Sequence, residues 1–577
     1  MATSSIVGYQ LPVQPETGGR KAQGFVTPAS DKLPQKMAVM PRRVIPIVFL
    51  PGIMGSNLRL SAGRQSELGK GNNIAWRPDR KREAIDLLSA SPAQRQMQLD
   101  PAQTEVDTYA PDALTGDPTE SPEQRHDNAK AKFTLPLELG INTPLLMDDP
   151  PTVQPRRTKE QKARERGWGE VFFDSYGELL QRCELRLHTA FHGGKLDAWW
   201  RNIVDVNPAA WQAHPGSNLQ PLQEEELRQA LRDCWFPVHA MGYNWLQSNR
   251  QSGVDTADRI DKLIAQYQGW GFQCEKVIVV THSMGGLVAR ALIHPAMGNR
   301  QEKVLGIVHG VMPANGAGAA YKRMRCGFED GLLNITAKVL GNSGDEVTAV
   351  LGNSQGGLEL LPSQAYGDEW LRITRDGQTL LNLPKRGGDP YVEIYKLRGA
   401  WYRLLNEKWL NPAQQKLDME PFERSCKMLD KAKMFHRDIA NTYHSTSYAH
   451  YGADASHAAW HHVVWDIGKN ISIGSRAETF ELLSDNRKGL LHLADPALPK
   501  PPGLTSPGPS ARLQPPVDPG DQTVPLHSAD AQLLSGKFKG LFRQTGYEHQ
   551  DSYKNEAALH STLYSLVRII QTMEWSQ

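Results

Sequence analysis

A hydroxyl that attacks a carbonyl needs a base to take its proton, an acid behind that base, and amide donors for the developing oxyanion. The stretch "VVTHSMGGLVAR", residues 279–290, sets Ser283 between an apolar, β-branched run and a helix pattern. This is the strand–turn–helix setting of a G-x-S-x-G nucleophile elbow, with Thr281 in place of the first glycine. The competing reading is a serine that merely caps a helix after a buried strand.

The remaining parts are found far away in the chain. "PGDQTVPLHSA" carries a Gly-Asp turn ahead of Thr523-Val524-Pro525, and Asp521 is the candidate acid, with Asp518 as the alternative. "GYEHQDSYKN" carries His549 in a polar loop before the last helix, as the candidate base. The order Ser283, Asp521, His549 is that of the α/β-hydrolases. Other histidines fit less well: His282 lies inside the elbow and is expected to face away from the reactive side of Ser283. His527 is too near Asp521 in sequence, and His560 belongs to the final helix. "FLPGIMGSNL" is a strand ending in Pro-Gly and a small-residue turn, suited to amide donors. The oxyanion donors are expected to be the N–H groups of Ile53 and Met284, with Met54 the near alternative. His457 and His461 have the i, i+4 spacing of metal ligands, but no carboxylate completes an H-E-x-x-H pattern. Core or cap packing is the expected role of that histidine-rich stretch. No metal and no cofactor are expected.

These residues need a scaffold that brings positions 53, 283, 521 and 549 together. Val44–Leu50 is a continuous apolar run that suits a central strand of a parallel sheet. After a long irregular insertion the chain alternates: strand "CWFPVHAMGYNW", helix "DTADRIDKLIAQYQ" capped by Asp255 or Thr256, strand "KVIVVTH", helix "GGLVARALI", strand "VLGIVHGVM". This rhythm predicts an α/β fold with a mostly parallel central sheet and helices on both faces. The expected organisation is a loose N-terminal arm (1–42), a core part (43–320) interrupted at about 60–230, a cap or lid insertion (321–480), and a Pro-rich linker with the rest of the core (481–577). Within the insertion at 60–230, Phe173, Tyr176, Leu179, Leu180 and Cys183 share a helical face. The cap holds Trp401, Trp409 and Phe422, which a lid could expose to lipid. The tract "ADPALPKPPGLTSPGPSARLQPPVDP" is expected to be a surface linker. "NEAALHSTLYSLVRII" predicts a closing helix with Leu559, Leu563, Leu566 and Ile570 in one stripe.

Composition narrows the class of activity. The 65 basic and 63 acidic residues nearly cancel, so no electrostatic nucleic-acid binder is indicated. Cys183, Cys234, Cys274, Cys326 and Cys426 form no CxxC pair, which argues against a disulfide framework or zinc ribbon. The first residues lack the basic start and apolar stretch of a secretory signal, and no run of about 18 apolar residues suggests a transmembrane segment.

With these motifs in hand, the sequence resembles α/β-hydrolase lipases of the lecithin:cholesterol acyltransferase and GPI inositol-deacylase type. Their "PG-x-x-GS-x-L", "HSMGG" and "GD-x-TVP" look like residues 51–58, 282–286 and 520–525. The ending "HQDSYKN" and the overall size look closest to phospholipase effectors of bacterial type VI secretion systems. That resemblance implies an antibacterial serine phospholipase, made in the cytoplasm, delivered by the contractile apparatus and acting on membrane phospholipids in the periplasm of a target cell. It also implies a secretion-apparatus component and a cognate immunity protein as partners. The same triad would support acyl transfer to a lipid alcohol or simple carboxylesterase activity, and a hydrolase fold without catalysis would be an interaction module.

Overall fold

The computed structural model describes residues 41–79, 89–108, 159–192, 194–329, 341–468, 474–498 and 508–576, the single residues 87, 157 and 339, and the backbone of three strands before residue 40. Those three strands, Val13–Glu16, Gly19–Gly24 and Gln35–Val39, pair antiparallel in the stretch expected to be a loose arm. Most of the insertion between 109 and 156 lies outside the described residues.

The central sheet has six strands: β1 (Ile47–Leu50), β2 (Val238–Ala240), β3 (Val277–His282), β4 (Val304–Gly310), β5 (Ser447–Gly452) and β6 (Phe538–Gln544). Their spatial order is β2-β1-β3-β4-β5-β6, and every pairing is parallel. Apolar residues run unbroken along β1 and along Val277–Val280 of β3 because both faces are covered. Val48, Leu50, Val277 and Val279 enter one core, with Ile260 and Leu263 of helix α2 and Leu287 and Val288 of helix α3. Ile47, Phe49, Ile278 and Val280 enter the other, with Leu179 and Leu180 of helix α1 and Leu559 and Leu563 of helix α7. Here α1 is Phe173–His188, α2 is Asn249–Gly269, α3 is Gly285–Ile293 and α7 is Glu556–Ile570. The remaining helices used below are α4 (Gly318–Cys326), α5 (Gly344–Leu351) and α6 (Pro421–Ile439).

Helix α2 begins earlier than the sequence pattern predicts. Its N-cap is Ser248, whose Oγ accepts from the Gln251 amide at 3.1 Å, while the Thr256 hydroxyl donates back to the Ser252 carbonyl. Gly253 hides this first turn from a propensity reading, yet glycine is needed there: a Cβ would lie 2.6 Å from that of Ala291 on α3. The two helices approach too closely for any side chain at that point.

Between α4 and β6 the chain builds a second six-stranded sheet, ordered Gln378–Leu383, Leu371–Arg375, Val463–Ile467, Ser510–Leu513, Leu490–Ala494 and Glu481–Asp485. Ser510–Leu513 is an interior strand of it, so the Pro-rich tract is not simply a linker. Its four residues contain no proline, and Ala511 is fully buried. The aromatic side chains that a lid could expose, Trp401, Phe422 and Trp409, are all buried in this structure, and Trp401 donates its indole N–H to the Ala477 carbonyl at 2.8 Å. Among the described residues, no helix is long and apolar enough to cross a membrane.

Candidate active site

Ser283 stands at the carboxyl end of β3, before α3, with φ = +52°. A left-handed backbone is costly for a residue with a Cβ and persists only where its surroundings enforce it. The enforcement is visible: the Ser283 amide donates to the Gly310 carbonyl on β4 at 2.8 Å, and the Ser283 carbonyl accepts from Gly286 at 2.9 Å. Gly285 has no freedom to carry a side chain, since a Cβ there would sit 2.4 Å from the Leu50 carbonyl oxygen and 2.6 Å from that of Pro51. Thr281 is tolerated at the other end of the elbow because it is still a β3 residue, fully buried, with its carbonyl taken by the Tyr553 hydroxyl at 2.7 Å.

Three residues separated widely in sequence meet at the serine. His549 Nε2 lies 2.8 Å from Ser283 Oγ, and His549 Nδ1 lies 2.9 Å from Asp521 Oδ2. The His549 amide also donates to the Asp521 carbonyl at 2.9 Å, fastening the two loops by backbone and side chain together. The other Asp521 oxygen accepts from the amides of Thr523 at 3.1 Å and Val524 at 2.7 Å, so the buried carboxylate is satisfied on both oxygens. Asp518 is directed elsewhere. It accepts from the His462 amide at 3.1 Å and lies 3.3 Å from His462 Nδ1.

The turn after β1 packs directly on the serine: a Cβ on Gly52 would fall 3.0 Å from Ser283 Cβ and 2.8 Å from His282 Nδ1. Met54, two residues on, also has a left-handed backbone, at φ = +61°. Ile53 and Met54 line the cavity in front of Ser283; Met284 is absent from that lining, its side chain fully buried at the head of α3.

His282 does not serve Ser283 directly, but it is not idle. Its Nε2 lies 2.9 Å from the His549 carbonyl oxygen, and its Nδ1 lies 3.1 Å from the Tyr176 hydroxyl. A carbonyl can only accept, so Nε2 carries the proton and the Tyr176 hydroxyl donates to Nδ1. The Gly52 amide in turn points at that hydroxyl, at 3.3 Å. Burial, followed by the neighbouring His549 and His450 imidazoles, holds His282 well below the usual histidine range. Burial likewise pushes the Tyr176 phenol up to about 12. Tyr176 is the residue that sequence reasoning missed: it was legible as a core position of α1, but nothing local ties it to an elbow more than a hundred residues away.

The other histidines take structural roles. His527 Nε2 reaches the Tyr366 carbonyl, and His560 lies against Trp199 and Trp211. His457 pairs with Asp454 at 2.9 Å, while His461 stacks on His527, so the i, i+4 pair is split. Donor atoms of His461, His462 and Asp518 do lie within 4.8 Å of one another, in a partly exposed group.

The cavity has a volume of about 470 Å³, within the usual range for a small-molecule site. Its floor is Gly52, Ser283 and His549, and its upper wall includes Ala319, Ala320 and Arg323 of α4, then Phe328, Glu329 and Leu360.

Residues 251–358 match the family model described as PGAP1-like alpha/beta domain. No curated protein matches the sequence. A solved structure titled "The crystal structure of Tle4-Tli4 complex" contains a chain with 31% sequence identity and a TM-score of 0.70, over 92% of this chain and 99% of that one. The chain thus belongs to the Tle4 family, the type VI lipase-effector branch of the α/β-hydrolases that its motifs resemble.

Proposed function

We propose that this protein is a serine phospholipase that cleaves carboxylic ester bonds of membrane phospholipids, with Ser283, His549 and Asp521 as its catalytic triad. The observation that carries the reading is the continuous line Ser283 Oγ, His549, Asp521, with separations of 2.8 and 2.9 Å, opening on a cavity rather than into core. His549 Nε2 takes the Ser283 proton as Oγ attacks the ester carbonyl carbon. The imidazolium so formed is held by Asp521, and the oxyanion is assigned to the Ile53 and Met284 amides. Neither amide donates to another group among the described residues, which leaves both free for this use. When the tetrahedral adduct collapses, His549 returns the proton to the departing lysophospholipid alkoxide. Water, deprotonated by the same imidazole, then attacks the acyl-enzyme and releases the fatty acid.

Within the same reading the protein acts in the periplasm of a target bacterium after delivery by a type VI apparatus. The partner named in the Tle4–Tli4 title supports a cognate Tli4-like immunity protein for this chain as well. A fluorophosphonate probe should label wild-type protein and not Ser283→Ala. Membranes treated with the wild type should accumulate lysophospholipid and fatty acid. If the wild type takes up no probe and membranes treated with it match those treated with Ser283→Ala, the assignment is wrong.

A further inference from the structure

The cavity in front of Ser283 holds a charged device that ester hydrolysis alone does not use. Arg323, on α4, lines the cavity and bridges it. Its Nε lies 3.1 Å from Glu329 Oε1, its Nη2 lies 3.2 Å from Glu329 Oε2, and Nη2 also donates to Thr523 Oγ1 at 2.9 Å. Thr523 is two residues past Asp521 and gives its amide to that carboxylate, so the guanidinium is anchored beside the acid of the proposed triad. Lys322 adds a second positive charge, with Nζ 3.6 Å from Glu329 Oε1. The Phe328 ring lies 4.7 Å from the guanidinium carbon and fixes its plane.

A carboxylate laid along one edge of a guanidinium has the shape of a phosphate doing the same, two oxygens against two N–H donors. Glu329 is partly exposed and follows the end of α4, whereas Arg323 is mostly covered and Thr523 belongs to the triad loop. The more exposed partner of this arrangement is therefore the carboxylate. Among the described residues, the other cation lining the cavity is Lys554, paired with Asp551 three residues away at 2.9 Å.

We infer that Arg323 and Thr523 form a binding subsite for the phosphodiester of the substrate, and that Glu329 occupies it as an internal anion until substrate displaces it. The inference rests on the phospholipase reading above and adds its recognition element: phosphorylated glycerolipids are selected over uncharged ones by a charge on the cap and a hydroxyl on the acid loop. Displacing Glu329 costs part of the phospholipid's binding energy and none of the uncharged lipid's, so removing the carboxylate's charge should raise the preference that Arg323 creates.

The test compares dihexanoylphosphatidylcholine with uncharged dihexanoylglycerol, both below their micellar concentrations. In Arg323→Met the ratio of the two kcat/KM values should fall at least about tenfold, as expected for loss of a charge-assisted bond. In Glu329→Gln the same ratio should rise severalfold, through a lower KM for the phospholipid. Equal loss on both substrates, or an unchanged ratio in both variants, overturns the subsite. A second arm needs no turnover: calorimetry of dihexanoylphosphatidylcholine binding to Ser283→Ala and to Ser283→Ala/Arg323→Met, where about tenfold weaker binding supports the subsite and equal affinity overturns it. Wild type that hydrolyses neither ester overturns the phospholipase reading instead, and the binding arm still decides the subsite.

Discussion

Acidification should unfold this protein through its buried imidazoles. His188, His239, His282, His309, His436 and His450 are all buried, and burial is the first cause holding each below the usual histidine value: His188 and His436 fall to about 4, His309 and His450 to about 3. A histidine kept neutral in the fold but free to protonate when unfolded makes the unfolded chain bind more protons. Its stabilising effect is complete above about 6.5 and declines as pH falls below that value. At about pH 5.5 each such group has lost on the order of 1 kcal/mol, so the six together lose several kcal/mol. Glu359 works in the opposite sense. Burial raises its carboxyl to about 7, so it keeps a proton that the unfolded chain gives up near 4.5, and acidification over the same interval returns about 2 kcal/mol. Asp79, raised by burial to about 6, and Glu170, also raised by burial, return a further part, and the balance is a loss of several kcal/mol between about pH 7.5 and 5.5, a large share of the stability of many domains. Urea unfolding followed by tryptophan fluorescence at the two pH values measures it. A midpoint that does not move would refute the argument, because it would mean that these imidazoles take up protons without unfolding the chain.

Tyr176→Phe leaves the buried His282 Nδ1 and the Gly52 amide without their shared partner, and should cost about 2 kcal/mol in thermal unfolding and about tenfold in kcat/KM on a soluble ester, with substrate affinity little changed. Gly285→Ala should lower stability by about 3 kcal/mol or prevent folding, since both obstructing atoms are backbone oxygens of Leu50 and Pro51; circular dichroism and expression yield report it. Asp521→Asn should keep the fold and lose up to about 10⁴-fold in turnover by leaving the imidazole in the wrong tautomer, whereas Asp518→Asn, whose carboxylate is held by His462 away from the serine, should stay within a few-fold of wild type. Reversed behaviour of the two aspartates in a steady-state ester assay would reassign the acid.

The parallel sheet was legible because its strands are buried on both faces and so appear as unbroken apolar runs, as in Val277–Val280. That Ser283, Asp521 and His549 would come together was legible for a different reason: each stands at a turn whose neighbours are constrained by chemistry, glycine at 285, Gly-Asp at 520 and 521, a polar loop around 549. Where side chains pack without a local constraint, the sequence was silent or misleading. Trp401, Trp409 and Phe422 are buried here, and apolar spacing alone does not say which surface covers them or when. The proline count of the 494–519 tract concealed a strand, since four residues free of proline are enough to pair on both sides. Tyr176 and Arg323 come from the two insertions, and their partners are fixed only by tertiary contact.

The two insertions have something in common that neither motif reveals. Tyr176, from the first, reaches His282 and through it the carbonyl of His549; Arg323, from the start of the second, reaches Thr523 beside Asp521. Each loop that carries a proposed triad member is therefore braced by a side chain from one of the two insertions. The brace on His549 is neutral: a phenol, an imidazole and an amide, all buried, where a charge would bear the full penalty of desolvation. The brace on the Asp521 loop is ionic and faces the cavity, where an incoming anion can compete for it. A rigid support behind the base and an exchangeable one beside the acid is the arrangement expected where the proton-transfer geometry must stay fixed while the wall in front of it responds to the charge of the substrate.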